Sequence, residues 1–150
     1  MKDSWKVLPN LQSERHCSGV FTFNNTYVYS VCGNKNELYI NSIEKLNITR
    51  HTEWEFVGVS NMMSIREAIH AIQISPTEVL VFGGFPRKTD CYLLMMGDKI
   101  KCIESSNMTE GGSFYCCAAP LFVDTCVYAS DIDKRIHIFS TIDKKWDVID

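Results

Sequence analysis

Tryptophan returns in this chain at an interval, and its neighbours return with it. Trp5 stands in Trp5-Lys6-Val7, and Trp54 in Trp54-Glu55-Phe56-Val57, 49 residues later. A third copy, Trp146-Asp147-Val148-Ile149, lies 92 residues beyond Trp54, close to two further intervals. The position skipped between them falls near Ile103, in Ile100-Lys101-Cys102-Ile103, where another apolar residue stands in for the indole. Self-similarity at about fifty residues constrains the fold more than any local propensity does. It implies a row of supersecondary units, each burying its apolar face against the next.

A second landmark keeps the same phase. Glu78-Val79-Leu80-Val81-Phe82 closes on Gly83-Gly84, and Gly84 lies 30 residues after Trp54. In the preceding unit Tyr27-Val28-Tyr29-Ser30-Val31-Cys32-Gly33 ends 28 residues after Trp5. In the last unit Cys126-Val127-Tyr128-Ala129-Ser130 arrives at the matching offset, with Ser130-Asp131 in place of glycine. Each unit holds two more apolar runs. Before the glycine position these are Gly19 to Phe23, Ala68 to Ile74 and Tyr115 to Val123; after it, Ser42 to Leu46, Cys91 to Met96 and Arg135 to Phe139. Every period thus contains four short runs rich in Val, Ile, Tyr and Phe, separated by turn-forming residues, which reads as four strands. Asn61 to Ile74 comes nearest to a helix, since Met62, Ile65, Ile69 and Ile72 share helical spacing. The phase of the repeat assigns Glu67 to Ile74 to a strand instead.

Composition narrows the function. The 150 residues suffice for one domain with a real core, and 45% hydrophobic with 22% charged residues is a globular composition. Fifteen Lys and Arg against 18 Asp and Glu leave a net charge of −3, which argues against a nucleic-acid clamp or a membrane-surface protein. No apolar run is long enough for a transmembrane helix, and no apolar stretch follows Met1 to Lys6 as a secretory signal would require. Seven cysteines cannot all pair, so free thiols in a reducing, cytoplasmic setting are expected. The sequons at Asn24, Asn47 and Asn107 carry no meaning in a chain that is not secreted.

Four strands per fifty residues is the arithmetic of a β-propeller blade. Strands covered on both sides read as unbroken apolar runs, as Val79-Leu80-Val81-Phe82 does. Paired glycines permit positive φ at a sharp turn, and one aromatic per unit on an outer strand fills the widening wedge between neighbours. On Val79-Leu80-Val81-Phe82-Gly83-Gly84, the degenerate Tyr29-Ser30-Val31-Cys32-Gly33, and Trp5, Trp54 and Trp146, the chain resembles the kelch repeat family. The resemblance divides the all-β chain into a leading outer strand (1–14) and three four-stranded antiparallel blades (15–58, 59–106 and 107–150). It implies a propeller, commonly six-bladed, acting as a protein-interaction module. Three blades cannot close a ring, so the chain is expected to be part of a larger propeller, a shortened product, or a ring completed by another chain. Exposed sheet faces then favour self-association.

Candidate chemistry is sparse. No C-x-x-C or H-x-x-x-H occurs, and Cys116-Cys117 on a strand would point to opposite faces, so no metal site is expected and the thiols read as small apolar residues. Asp131-Ile132-Asp133 begins like a calcium loop but lacks the later glycine and glutamate, and so reads as a turn. Gly83-Gly84 and Gly111-Gly112 lack phosphate-loop context, no Gly-x-Ser-x-Gly exists, and nothing places Glu53 and Glu55 in a shared pocket. No cofactor is expected. Arg15 and Arg66 follow Trp5 and Trp54 by 10 and 12 residues, so they occupy nearly the same place in successive units. By resemblance that loop borders the channel mouth, where kelch modules take acidic peptides. The alternative is a structural arginine bonding loop carbonyls. The expected function is a non-catalytic intracellular scaffold for a protein partner. Two rivals remain: a structural fragment of a larger kelch protein such as a ubiquitin-ligase adaptor, and an enzyme on a propeller scaffold, like the family's copper oxidases.

Overall fold

The structure is a computed structural model that describes residues 5, 7–50, 52–59, 66–86, 89–108, 121–130 and 135–149. Its regular secondary structure is entirely β. The first sheet comprises β1 (Gly19–Phe23) and β2 (Tyr27–Val31), then, after the small hairpin β3 (Asn34–Lys35) and β4 (Leu38–Tyr39), β5 (Ile43–Asn47) and β6 (Trp54–Val57). The second holds β7 (His70–Gln73), β8 (Glu78–Phe82), β9 (Cys91–Met95) and β10 (Lys101–Glu104). The third holds β11 (Leu121–Val123), β12 (Cys126–Ser130), β13 (Ile136–Ser140) and β14 (Lys145–Ile149). In each four-stranded sheet the strands pair antiparallel in chain order. The stretch with helical spacing ends in strand β7, because tertiary pairing with β8 decides between two periodicities that a short apolar run satisfies equally.

Turn chemistry closes the hairpins. Asn24 and Asn25, at φ of 51° and 50°, carry the chain from β1 to β2, and asparagine tolerates this left-handed region better than most residues. Asn36 and Glu37, both at positive φ, form the two-residue turn of the β3–β4 hairpin, which the fifty-residue pattern did not announce.

The three sheets stack face to face, and β8 shows why its sequence does not alternate. Val79, Leu80, Val81 and Phe82 are all fully buried. Val79 and Val81 join Phe21, Tyr29 and Val31 of the first sheet in one core cluster. Leu80 and Phe82 join Val127, Ala129 and Phe139 of the third sheet in another. Successive side chains enter opposite faces, and both faces are covered. At about 1.5–3 kcal/mol for each large side chain buried, this one strand anchors both interfaces.

Register gives the repeat its physical meaning. Val28 lies opposite Leu46, and Leu46 opposite Trp54. Val79 stands opposite Leu94, and Leu94 opposite Cys102. Val127 faces Phe139, and Phe139 faces Trp146. The residue equivalent to the tryptophans in the second sheet is therefore Cys102, buried against the first sheet, and not Ile103. Ile103 points the other way and is largely exposed. A step of one residue along a strand reverses the face, so spacing that locates the position only approximately cannot choose between them.

The leading segment departs from expectation. No strand occurs among the described residues of 1–14, and Trp5 is fully exposed, with no place equivalent to Trp54 and Trp146. Residues 9–15 run as a strap whose polar groups meet the face of the first sheet turned away from the second. The Trp54 indole donates to the Pro9 carbonyl at 2.9 Å, and the Gln12 side-chain amide donates to the Trp54 carbonyl. An extended segment becomes a strand only by pairing its backbone along a sheet edge, and the strap instead lies against the sheet face, where its bonds run to the Glu44 carboxylate and to Trp54.

Candidate functional site

Arg15 and Arg66 introduce the first strand of their sheets through the same turn. The Arg15 Nη1 donates to the carbonyls of Cys32 (3.1 Å) and Ser42 (2.9 Å), which lie just after β2 and just before β5. The Arg66 Nη1 donates to Gly83 and Asp90, both at 2.9 Å, just after β8 and just before β9. One guanidinium thus ties together three chain crossings at the same end of each sheet. The counter-group differs. Arg15 Nη2 meets a Glu44 oxygen at 2.6 Å with both side chains fully enclosed, and Glu44 also accepts from the backbone N–H groups of Gln12 (2.7 Å) and Ser13 (2.9 Å). Arg66 lies over the ring of Tyr92 at 4.7 Å, a cation–π contact in the place of the carboxylate.

These donors are directed into the fold. The structure places Arg15 and Arg66 at equivalent sites but sets each within its own turn. The alternative weighed from sequence, an arginine that bonds loop carbonyls, describes their contacts.

The glycines serve the same turns. Gly84 has φ of 93°, and a Cβ there would stand 2.5 Å from the Glu67 carbonyl oxygen. Gly33, at φ 112°, would bring a Cβ to 2.8 Å from the His16 carbonyl. Gly83 is at φ 70°, and its counterpart Cys32 adopts φ 56° without being glycine. That is why the first unit retains only one glycine of the pair. The two turns are also joined to each other: the Gly33 N–H donates to Arg66 O (3.1 Å), and the Ala68 N–H to Cys17 O (2.6 Å).

Sequence reasoning missed one grouping. His16, Cys17 and Glu67 bring a ring nitrogen, a sulfur and a carboxylate oxygen within 4.8 Å of one another. No motif spacing marks them, because His16 and Glu67 are neighbours only through the contact between the two turns. The available signal was the phase itself: Arg15 and Arg66 are 51 residues apart, as are Gly33 and Gly84.

The described cysteines are free thiols. Burial pushes Cys32 up to about 11, and Cys91 and Cys102 up to about 12, so these three remain protonated at neutral pH. Cys91 accepts a hydrogen bond from the Trp146 indole at 3.1 Å, across the second interface. At the opposite end of the sheets from the arginines, an open cleft of about 640 Å³ lies between the first and second sheets, lined by Phe23, Tyr27, Lys45, Pro76, Met96 and Asp98 among others. Cys116-Cys117, Gly111-Gly112 and Asp131-Ile132-Asp133 lie outside the described residues. Among the described residues, no helix is long and apolar enough to cross a membrane. Comparison with protein-family models and with curated protein sequences finds no match for this chain.

Proposed function

We propose that this chain is a non-catalytic protein–protein interaction module of the kelch type, in which the three sheets act as successive blades and the free face of the third receives the partner. The supporting observation is the repeated order of faces. The first sheet packs the face bearing Tyr29 and Val31 on the second sheet's Val79 and Val81. The second packs the face bearing Leu80 and Phe82 on the third sheet's Val127 and Ala129. The same face of the third sheet presents Leu121 (60% exposed), Ile149 (54%), Val123 (43%), Ile136 (39%) and Tyr128 (37%) to solvent. By register these five share one side, opposite Val127, Phe139 and Trp146. A contiguous apolar surface of this kind marks an interaction site.

The occupant that continues the order is a further four-stranded sheet offering a Val79-type face; in the first sheet of a second copy the strap crosses that face and leaves Val20 and Phe56 exposed on it for the contact. Because the guanidiniums of Arg15 and Arg66 are engaged inside their turns, the partner surface is assigned to the third sheet rather than to an acidic peptide at the arginines. A reducing compartment such as the cytoplasm suits the free thiols.

Light scattering after size exclusion, run across a wide concentration range, tests this. Wild-type protein is expected to self-associate as concentration rises. The double variant Leu121→Lys/Ile149→Lys should remain monomeric, with an unchanged circular-dichroism spectrum. Wild-type protein that stays monomeric throughout, or association unaffected by the two lysines, overturns the reading.

A further inference from the structure

We infer that His16, Cys17 and Glu67 form a zinc-binding site that clamps the first turn to the second. The imidazole, thiol and carboxylate donors lie within 4.8 Å of one another, and they come from two segments 50 residues apart in sequence. Tetrahedral zinc, with bonds of about 2.0–2.3 Å, sets its donors roughly 3.3–3.8 Å apart. Closing the remaining ångström needs only side-chain rotation, and the exposed His16 and Cys17 side chains are free to make it.

The backbone is already held. His16 pairs with Asn34 through two 2.9 Å hydrogen bonds, and Glu67 pairs with Phe85 through bonds of 3.1 and 2.9 Å. The Ala68 N–H to Cys17 carbonyl bond, at 2.6 Å, fixes one turn against the other. Sequence neighbours in a strand point to opposite faces, which would part the imidazole from the thiol. Cys17 is instead in the left-handed region, at φ 54°, and this break in the alternation brings the two groups to the same side. The equivalent Ala68 has the same twist, at φ 53°, so the turn recurs in the second unit, where it carries no thiol.

The chemistry balances. Zinc takes the thiolate, the carboxylate and the neutral imidazole, the thiol proton passes to solvent, and the two anionic ligands cancel the charge of the ion. A histidine, cysteine and carboxylate set suits zinc better than calcium or magnesium, which take oxygen ligands. Three protein ligands leave the fourth position to water. The site lies at the arginine end of the first interface, away from the free face of the third sheet, so it stands independently of the proposed partner surface.

The experiment titrates full-length protein, reduced and stripped of metal, with cobalt(II) as a spectroscopic probe and then with zinc. One equivalent of cobalt should produce a near-ultraviolet sulfur-to-metal charge-transfer band, which one equivalent of zinc removes. Cys17→Ser should abolish the band, and His16→Ala and Glu67→Gln should each weaken zinc binding tenfold or more. Cys126→Ser serves as the thiol control and should leave both unchanged. Zinc should raise the melting temperature of the wild type and leave that of Cys17→Ser where it was. A band that persists in Cys17→Ser, or its absence from the wild type at one equivalent, overturns the assignment. Circular dichroism of each variant separates loss of ligand from loss of fold.

Discussion

At the scale of single residues, the turns that begin the first and second sheets depend on atoms that are missing as much as on atoms that are present. Gly84 has room for hydrogen alone, because a Cβ would collide with the Glu67 carbonyl and the backbone is held at φ 93°. Gly84→Ala is expected to destabilise the protein by about 2–3 kcal/mol, read from urea unfolding, since backbone strain and collision add. The thiols divide by burial. Cys17 is exposed, whereas Cys32, Cys91 and Cys102 are buried and held protonated. A maleimide reagent should modify Cys17 well before these three, as mapped by peptide mass. Burial raises the three thiols from 9.0 to about 11 or 12, so the unfolded chain loses those protons first. Their contribution to stability is complete below pH 9 and declines as pH rises towards 11–12, by up to about 1.4 kcal/mol per pH unit for each thiol. Urea unfolding on either side of pH 9 checks this, and Cys102→Ala should flatten the slope.

At the scale of elements, the strap before β1 stands where a strand was expected. Its polar groups converge on Glu44, which accepts two backbone N–H groups and the Arg15 guanidinium at an enclosed site on the first sheet. Glu44→Ala leaves that guanidinium without its carboxylate and is expected to cost about 3–5 kcal/mol. It should also release the strap, making cleavage by a protease in residues 7–13 faster than in the wild type. In the second sheet Tyr92 stands at the matching place, so the same arginine geometry persists with an aromatic partner. That exchange could not be anticipated from residue type, because the carboxylate holds its cation by full charge and the phenol ring by its π face.

At the scale of the whole molecule, one order of faces runs through all three sheets, and it ends on a face with five exposed apolar side chains. Lys144, in the turn between β13 and β14, reaches Glu78 of the second sheet at 3.0 Å, so the second interface has a polar edge as well as a core. The pair is partly exposed, and Glu78→Gln is expected to cost less than about 1 kcal/mol in thermal or urea unfolding. The apolar stack, and not the ion pair, then carries that interface.

The repeat in the amino-acid string was enough to define twelve strands, their grouping in fours, and the burial of Val79 to Phe82, because each follows from composition and spacing along one segment. Only the folded chain could decide that Cys102 replaces the tryptophan, that Trp5 joins no sheet, and that His16, Cys17 and Glu67 meet. The reason is physical. Spacing of about fifty residues locates an element to within a residue or two, but a single residue along a strand reverses the face. Contacts between distant turns depend on how sheets pack, and no local pattern records that.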